Sequence, residues 1–194
     1  MRTDFLKEEL RKVLSKKRYE HSIRVYETAI TLGKNYNVDL EKLSISALLH
    51  DYAKEYNPEL LKSICKTFFF KETKSYLNNV EVLHGIVASH IAKEKFNIDD
   101  IDTLNAIKFH TTGRKKMSVI EKIIYLADAI EPKRNYENIE KIRKLSQENL
   151  DDAILLEVNE KLKYLIKNNI QIHPDSIKMR NYILKKIRWY MWKI

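Results

Sequence analysis

The sequence predicts an all-α fold in a single helical domain, and three observations support this. The 194 residues include only three Gly and three Pro, so few positions break a helix. Apolar residues recur at helical spacing, whereas the alternation typical of strands is scarce. The length and an apolar content of 44% are enough to bury one sizeable core. We therefore expect one helical bundle without internal repeats or flexible linkers.

Capping residues predict where most of the helices begin. Ser118 and Glu121 form a capping box, and Asn57 followed by Pro58 is a strong start signal. The predicted starts, in chain order, are Thr3 or Asp4, about Ser15, Asp39, Asn57-Pro58, about Val80, Asp99 or Asp100, Ser118, about Glu137, Asp151, and Asp175 or Ser176.

A His-Asp doublet, His50-Asp51, follows the apolar run Ala47–Leu49 and is the centre of the functional prediction. Consecutive helical residues point about 100° apart, so both can reach one ion only where the helix ends or opens. An imidazole and a carboxylate together suit a divalent metal. Taken alone, the doublet is more typical of a helix-end His that pairs with its neighbour, and only the other candidate ligands change that interpretation.

Two histidines share the predicted helix over residues 80–96, and only one can face a common site. His84 and His90 are six residues apart, which is about 240° around a helix. Gly85, next to His84, indicates a close approach to the backbone. We expect His84 to be functional and His90 to be a surface or packing residue.

Three further residues complete the set of candidate metal ligands. His110 ends a predicted helix beside two threonines and a glycine, which suits contact with a ligand. Asp128 has largely apolar neighbours, and a buried carboxylate needs a charged partner or a metal. His21 lies near the inward side of its helix, where a packing role is also typical.

In order, these residues give the pattern H…HD…H…H…D, which resembles the HD-domain metal-dependent phosphohydrolases. The segments RYEHSIRV, ALLHDYAK, LHG, HTTGR, YLADAIEPKR and the tail QIHPDSIKMRNY are similar to one branch, the YqeK-type symmetrical bis(5′-nucleosyl)-tetraphosphatases. The resemblance implies an HD-domain bundle with a metal-site core over about residues 18–133 and a C-terminal helical extension over about 134–194. It also implies one or two ions, expected to be iron with Mn, Co or Zn as alternatives, and hydrolysis of diadenosine tetraphosphate (Ap4A) to two ADP.

The resemblance also assigns roles within the site. His21, His50, Asp51 and Asp128 are the expected metal ligands. Asp51, His84 and His110 are the expected catalytic residues, and Asp51 could bridge to a second ion or to the phosphates. Metal-bound water would supply the nucleophile, because a divalent metal lowers its pKa toward neutrality. The expected substrate contacts in the core are His21, Asp51, His84, His110, Thr111, Asp128 and Arg134, with Arg114 and Lys133 as further candidate phosphate clamps.

The segment over residues 172–180 is expected to contact the adenosine-phosphate part of the substrate. Lys178 and Arg180 lie near the start of the last helix, where cations oppose the helix dipole unless an anion is present. That conflict and the resemblance together support a nucleotide there. The substrate contacts predicted in this segment are His173, Pro174, Asp175, Ser176, Ile177, Lys178 and Arg180.

The net charge of +9 leaves other functions open. One alternative is an HD phosphohydrolase that acts on another nucleotide, such as a guanosine polyphosphate or a deoxynucleotide. The second is a basic helical module that binds RNA or a ribosomal partner and keeps a structural metal. We rank nucleic acid as an unlikely partner, because the sequence has no basic patch interleaved with aromatic residues.

The sequence predicts a cytoplasmic protein without membrane contact. It has a single cysteine, Cys65, no long apolar run and a start unlike a signal peptide. A homodimer is possible.

Overall fold

The computed structural model describes the backbone of residues 2–191 and the side chains of residues 2–187. The C-terminal aromatic cluster of Trp189, Tyr190 and Trp192, to which we assign no motif, lies outside the described side chains. The described residues contain helices and no strand, which confirms the all-α prediction. The helices are α1 (Arg2–Val13), α2 (Lys16–Asn35), α3 (Leu40–Leu49), α4 (Pro58–Phe68), α5 (Phe70–Thr73), α6 (Val80–Phe96), α7 (Ile101–Phe109), α8 (Val119–Ile130), α9 (Ile139–Glu148), α10 (Leu150–Lys167) and α11 (Pro174–Met191).

Most of the predicted caps are confirmed by their hydrogen bonds. The side chains of Asp39 and Asn57 accept from backbone N–H groups of the first turn, and Asp100, not Asp99, caps α7. Ser118 and Glu121 form the predicted capping box of α8.

Three predicted helix starts are wrong. α1 begins at Arg2, so Thr3 and Asp4 lie in its first turn and do not cap it. α10 is capped by Asn149, whose side chain accepts from the N–H groups of Asp151 and Asp152. α9 begins two residues after the predicted Glu137, at Ile139.

The start of α11 also differs from the prediction, and its cap is unusual. α11 begins at Pro174, so Asp175 and Ser176 are already helical and cannot cap it. The N–H of Asp175 donates to Nδ1 of His173 at 3.2 Å. The imidazole of His173 therefore satisfies a free N–H of the first turn, which is the role of a capping side chain.

α3 lies between two apolar clusters, and this position carries the His-Asp doublet to the middle of the molecule. Leu43 and Ala47 belong to a cluster built with α2, α8 and α10, whereas Leu48 and Leu49 belong to a second one built with α1, α6 and α7. Every residue of α3 from Leu43 to Leu49 is buried, and the two residues that follow, His50 and Asp51, are buried as well. The predicted boundary between core and extension near residue 133 stays a proposal.

The aromatic run Phe68-Phe69-Phe70 is largely outside the core. Phe68 and Phe70 are 60% and 53% exposed, and only Phe69 packs against the second cluster. Cys65 is fully buried, and burial raises the pKa of its thiol to about 11.

Candidate active site

Four imidazoles and two carboxylates from five helical segments meet in the buried centre. Asp51 is the hub: its Oδ1 lies 3.0 Å from Nε2 of His84, and its Oδ2 lies 3.5 Å from Nε2 of His50. Nε2 of His21 lies 3.1 Å from Oδ1 of Asp128. The metal cluster, as we name this set, comprises His21 of α2, His50 and Asp51 after α3, His84 of α6, His110 after α7, and Asp128 of α8.

Three of the imidazoles are held in one tautomer. Nδ1 of His50 faces the carbonyl oxygen of Ala47 at 2.6 Å, and Nδ1 of His110 faces that of Ile107 at 2.8 Å. Both carbonyls lie one helical turn back along the chain. A carbonyl oxygen only accepts, so each Nδ1 carries the proton and each Nε2 keeps its lone pair.

For His21 the acceptor is a carboxylate from the end of α8. Its Nδ1 lies 3.2 Å from Oε1 of Glu131, so its Nε2 also keeps a lone pair. Glu131 is held in turn by Arg24, whose Nε donates to Oε2 at 2.6 Å. A carboxylate behind a metal-binding imidazole is the usual arrangement for orienting such a ligand.

These lone pairs fit a metal ion. Nε2 of His21 and Nε2 of His50 are buried and accept no hydrogen bond from the described residues, which is costly unless a ligand satisfies them. Nitrogen and carboxylate donors together suit a borderline divalent ion. Three overlapping groups have donor atoms within 4.8 Å of one another: His21 with His50 and Asp51, His50 with His110 and Asp128, and Asp51 with His84 and His110.

His84 differs from the other imidazoles because it carries its proton toward the centre. Its Nε2 lies 3.0 Å from Nε2 of His110, a nitrogen that carries a lone pair. The same Nε2 lies 3.0 Å from Oδ1 of Asp51. Two acceptors at hydrogen-bonding distance require that Nε2 of His84 be the donor. Its Nδ1 is then a buried lone pair with no partner among the described residues.

The surroundings of the cluster favour the charged form of its two carboxylates and the neutral form of two of its imidazoles, His50 and His84. Burial would raise the pKa of Asp51, but the neighbouring imidazoles, led by His50, hold it well below its usual range. Burial acts likewise on Asp128, where the imidazole of His21 and nearby positive charge lower the pKa. Burial lowers the pKa of His50 to about 4 and also lowers that of His84. Anionic oxygens beside neutral imidazoles are the protonation states that a metal requires.

Sequence reasoning missed two polar side chains that hold this cluster. Nη1 of Arg18 donates to Oδ2 of Asp51 at 2.8 Å, and Glu131 orients His21 as described. A signal for both exists in the helical spacing, because Arg18 lies three residues before His21 and Glu131 three residues after Asp128. Each therefore shares a helix face with a cluster residue.

The prediction that distinguished His84 from His90 agrees with the fold. His84 lies in the metal cluster, whereas His90 packs against the rings of Phe68 and Phe69. The reason for Gly85 is also visible. A Cβ there would lie 2.8 Å from the carbonyl oxygen of Lys108 and 3.3 Å from the ring of His110, so only glycine lets α6 approach this closely.

A cavity of about 640 Å³ adjoins the cluster, and we call it the α8–α10 cavity. His110 and Asp128 form its inner end. Its volume lies within the range typical of small-molecule sites. The remaining lining residues are Tyr125, Ala129, Arg134, Tyr136, Glu137, Glu157, Glu160, Lys161, Lys163, Tyr164 and Lys167.

Comparison with known proteins agrees with this geometry. The HD domain family model matches residues 18–133, which is more than half of the chain and contains all six residues of the metal cluster. The chain belongs to the HD domain family. In this HD protein the doublet His50-Asp51 is the pair of residues for which such a domain is named.

Curated relatives of this HD protein resemble it over most of its length. A protein of Halalkalibacterium halodurans is 37% identical over 171 residues, covering 88% of this chain and 91% of its own. One of Bacillus subtilis is 33% identical over 173 residues, with the same coverage, and one of Staphylococcus aureus is 36% identical over 172 residues, covering 87% and 88%. All three are named symmetrical bis(5′-nucleosyl)-tetraphosphatases.

A solved structure shares the fold. The crystal structure of a predicted HD superfamily hydrolase involved in NAD metabolism from Clostridium acetobutylicum superposes with a TM-score of 0.90 at 39% identity. The superposition covers 94% of this chain and 97% of that one. Among residues 2–191, no helix is long and apolar enough to cross a membrane.

The residues of the C-terminal segment that we predicted to contact the substrate lie near the metal cluster but do not line the α8–α10 cavity. Oγ of Ser176 donates to the carbonyl oxygen of Thr112 at 2.8 Å, two residues after His110. The ring of His173 packs edge-on against Tyr76, with 4.3 Å between centroids. Of the remaining predicted contacts, Pro174, Ile177 and Lys178 are exposed, Asp175 pairs with Lys178, and Arg180 donates to Asn159.

The three candidate phosphate clamps have different surroundings. Arg134 donates to Oδ1 of Asp128 at 2.7 Å and lines the cavity. Arg114 instead makes a bidentate pair with Glu121, both contacts being 2.6 Å, and so is tied to the cap of α8. Lys133 is exposed, and its nearest carboxylate is Glu20 at 3.9 Å.

Proposed function

We propose that this HD protein hydrolyses Ap4A symmetrically, giving two ADP. The three curated relatives, which match most of the chain, are named for this reaction, and this supports the proposal. The observation that carries the proposal is the pair of buried imidazole nitrogens, Nε2 of His21 and Nε2 of His50, which no described residue satisfies. They lie beside a carboxylate that stays ionised, as a metal-dependent hydrolase needs.

His21, His50, Asp51 and Asp128 would hold the metal. When bound, a divalent ion supplies an activated water and bears charge that develops on the phosphate oxygens. Iron is the metal that we propose, with Mn, Co or Zn as alternatives, since two or more imidazoles with carboxylates suit each of them. Two of the donor groups, His21 with His50 and Asp51, and His50 with His110 and Asp128, share His50, and this overlap supports one or two ions.

The other residues of the cluster would bind the phosphates. His84 presents a neutral N–H at Nε2, so we assign it a hydrogen bond to a phosphate oxygen on which negative charge develops during cleavage. His110 accepts a hydrogen bond from Nε2 of His84 with the lone pair of its own Nε2, and this contact keeps the His84 ring in its orientation. Thr111 follows directly, and its hydroxyl lies 3.1 Å from Nε2 of His110. Arg134, which contacts Asp128 and lines the cavity, would bind a phosphate oxygen.

The segment over residues 172–180 would contact one adenosine-phosphate half. Nδ1 of His173 accepts from Asp175, so in the neutral ring Nε2 carries the proton. Burial lowers the pKa of His173, and its Nε2 is buried with no partner among the described residues. An unpaired buried donor supports a ligand acceptor at this point. A cytoplasmic location and a homodimer also stay predictions.

The product of Ap4A hydrolysis tests the function. Protein purified without oxygen and analysed for metal is incubated with Ap4A, and the products are separated by chromatography. We expect ADP alone, because both halves are held while the central bridge is cleaved. AMP together with ATP would mean asymmetric cleavage. Turnover of guanosine polyphosphates or deoxynucleotides without turnover of Ap4A would favour the other HD activity, and salt-sensitive RNA binding without hydrolysis would favour the binding module.

A further inference from the structure

A symmetrical cleavage leaves two ADP, so the protein must hold a nucleotide on each side of the broken bond. The segment over residues 172–180 accounts for one half only. It packs beside Thr112 and Tyr76, and none of its residues lines the α8–α10 cavity. The second half therefore needs another place next to the metal cluster.

We propose that the α8–α10 cavity binds the second nucleoside 5′-diphosphate half of the dinucleotide, with the Tyr136 hydroxyl and the Lys161 ammonium as its contacts. The inference rests on the proposed function. The cavity begins at His110 and Asp128, so a phosphate chain that leaves the cluster enters it directly. Its volume of about 640 Å³ suits a ligand of nucleotide size.

Basic side chains line part of the cavity, and two of them lie beside the cluster: Arg134 contacts Asp128, and Nζ of Lys161 donates to the carbonyl oxygen of Thr111. Both are within reach of a diphosphate that extends from the centre, and Lys163 and Lys167 continue the basic lining. Positive charge close to the cleaved bond is what a diphosphate requires.

Aromatic rings form much of the remaining wall. Tyr125 and Tyr136 line the interior, and Tyr164 is 61% exposed at the opening. Every base has a π-face that stacks on an aromatic ring, and such stacking is favourable whatever the base. The walls therefore suit a nucleoside, with its phosphates directed toward the cluster.

One polar atom in this wall lacks a partner. Oη of Tyr136 is buried and makes no hydrogen bond with the described residues, although its ring packs against the core. A buried hydroxyl loses its hydration without compensation unless a ligand supplies a hydrogen bond. The cavity thus offers an unpaired hydroxyl to a polar ligand.

The test removes these contacts one at a time in the metal-loaded protein. Tyr136→Phe deletes only the hydroxyl, and Lys161→Gln deletes the charge. A hydrogen bond to a charged group contributes about 1.5–3 kcal/mol, so we expect the KM for Ap4A to rise about 10- to 100-fold in each variant while metal content stays at the wild-type value. Tyr36→Phe is the matched control, because its hydroxyl donates to the carbonyl oxygen of Ser146 at 2.9 Å, away from the cavity.

Calorimetry with ADP gives a readout that does not depend on turnover. Wild-type protein should bind two ADP per chain, and Tyr136→Phe should weaken one of the two binding events while His173→Ala weakens the other. One ADP per chain, or an unchanged KM and unchanged ADP affinity in Tyr136→Phe, would overturn the inference. Because ADP binding is measured without hydrolysis, failure of the proposed reaction and failure of this site give different results.

Discussion

Buried carboxyl groups lie at both ends of the candidate active site, and their surroundings shift their pKa values in opposite directions. In the metal cluster, Asp51 and Asp128 face imidazoles and arginines, and their pKa values lie well below the usual range. In the α8–α10 cavity, burial raises the pKa of Glu157, and its hydrogen-bond donor is the neutral hydroxyl of Tyr125. One end of the site is built for a cation, and the other tolerates a neutral carboxyl group.

This difference indicates how one site can accept a highly charged phosphate chain and an uncharged base. Charge is concentrated where phosphate and metal meet, at Asp51 and Asp128. Beside that point, the cavity adds basic side chains and three tyrosine rings. In the proposed function, cleavage would take place at the metal cluster and the nucleoside would be recognised in the cavity.

The largest effects are expected at the metal cluster. His50→Ala and Asp51→Ala should each abolish Ap4A hydrolysis and lower the metal content, because each removes a primary ligand. His90→Ala is the control: this residue packs against Phe68 and Phe69 and should leave turnover and metal content nearly unchanged. Metal analysis and initial rates measure both. Full metal content with normal rates in either ligand variant would contradict the assignment.

A smaller effect should follow from the residue behind His21. Glu131→Gln keeps the size of the side chain but removes the charge that holds Nδ1 of His21 and pairs with Arg24. Changes at such an orienting carboxylate typically weaken metal binding about 10- to 100-fold. Competition with a chelator measures this affinity, and Glu140→Gln, on the exposed part of α9, is a matched control. An unchanged affinity would show that Glu131 serves only the packing of α8.

The sequence predicted a helix start or a site residue correctly where neighbouring residues in the chain determine it. Asp39 predicted the helix that delivers His50-Asp51. The spacing of His84 and His90 predicted that only one of them faces a common site, and Gly85 beside His84 indicated which one. Contacts between distant segments were not predictable in this way. His21 and Glu131 are 110 residues apart, and no local pattern pairs them.

The C-terminal helix illustrates the same limit at shorter range. Asp and Ser are common caps, so propensity favoured Asp175 or Ser176 at its start. In the structure the ring of His173 takes that role, while Ser176 bonds to the distant Thr112. Proline at the first helical position was the better signal, and tertiary contacts decided the rest.

The C-terminal segment should affect nucleotide binding without affecting the metal. His173→Ala removes a buried donor, and Arg180→Ala removes a side chain whose Nε donates to Asn159 at 2.6 Å. Loss of one hydrogen bond corresponds to about 5- to 10-fold in affinity, so ADP should bind more weakly by that order. Calorimetry measures the affinity, and metal content should stay constant. An ADP affinity unchanged in both variants would make this segment purely structural.

The smallest expected effect is on the pH dependence of stability in a Glu157 variant. It tests whether the pKa of Glu157 is raised while those of Asp51 and Asp128 are lowered. An acid whose pKa is raised in the folded protein is ionised in the unfolded chain above pH 4.5 but resists ionisation in the folded one, so its contribution to stability falls as pH rises. Glu157→Gln has no such titration, and its amide oxygen can still accept from Tyr125. The Tm of the variant relative to wild type should therefore increase between pH 4 and pH 8, by about 2–4 °C if the change is near 1 kcal/mol. Glu160→Gln, which alters the neighbouring carboxylate that pairs with Lys163, serves as the control. A difference in Tm that stays constant with pH would mean that Glu157 ionises freely, and the contrast with Asp51 and Asp128 would not hold.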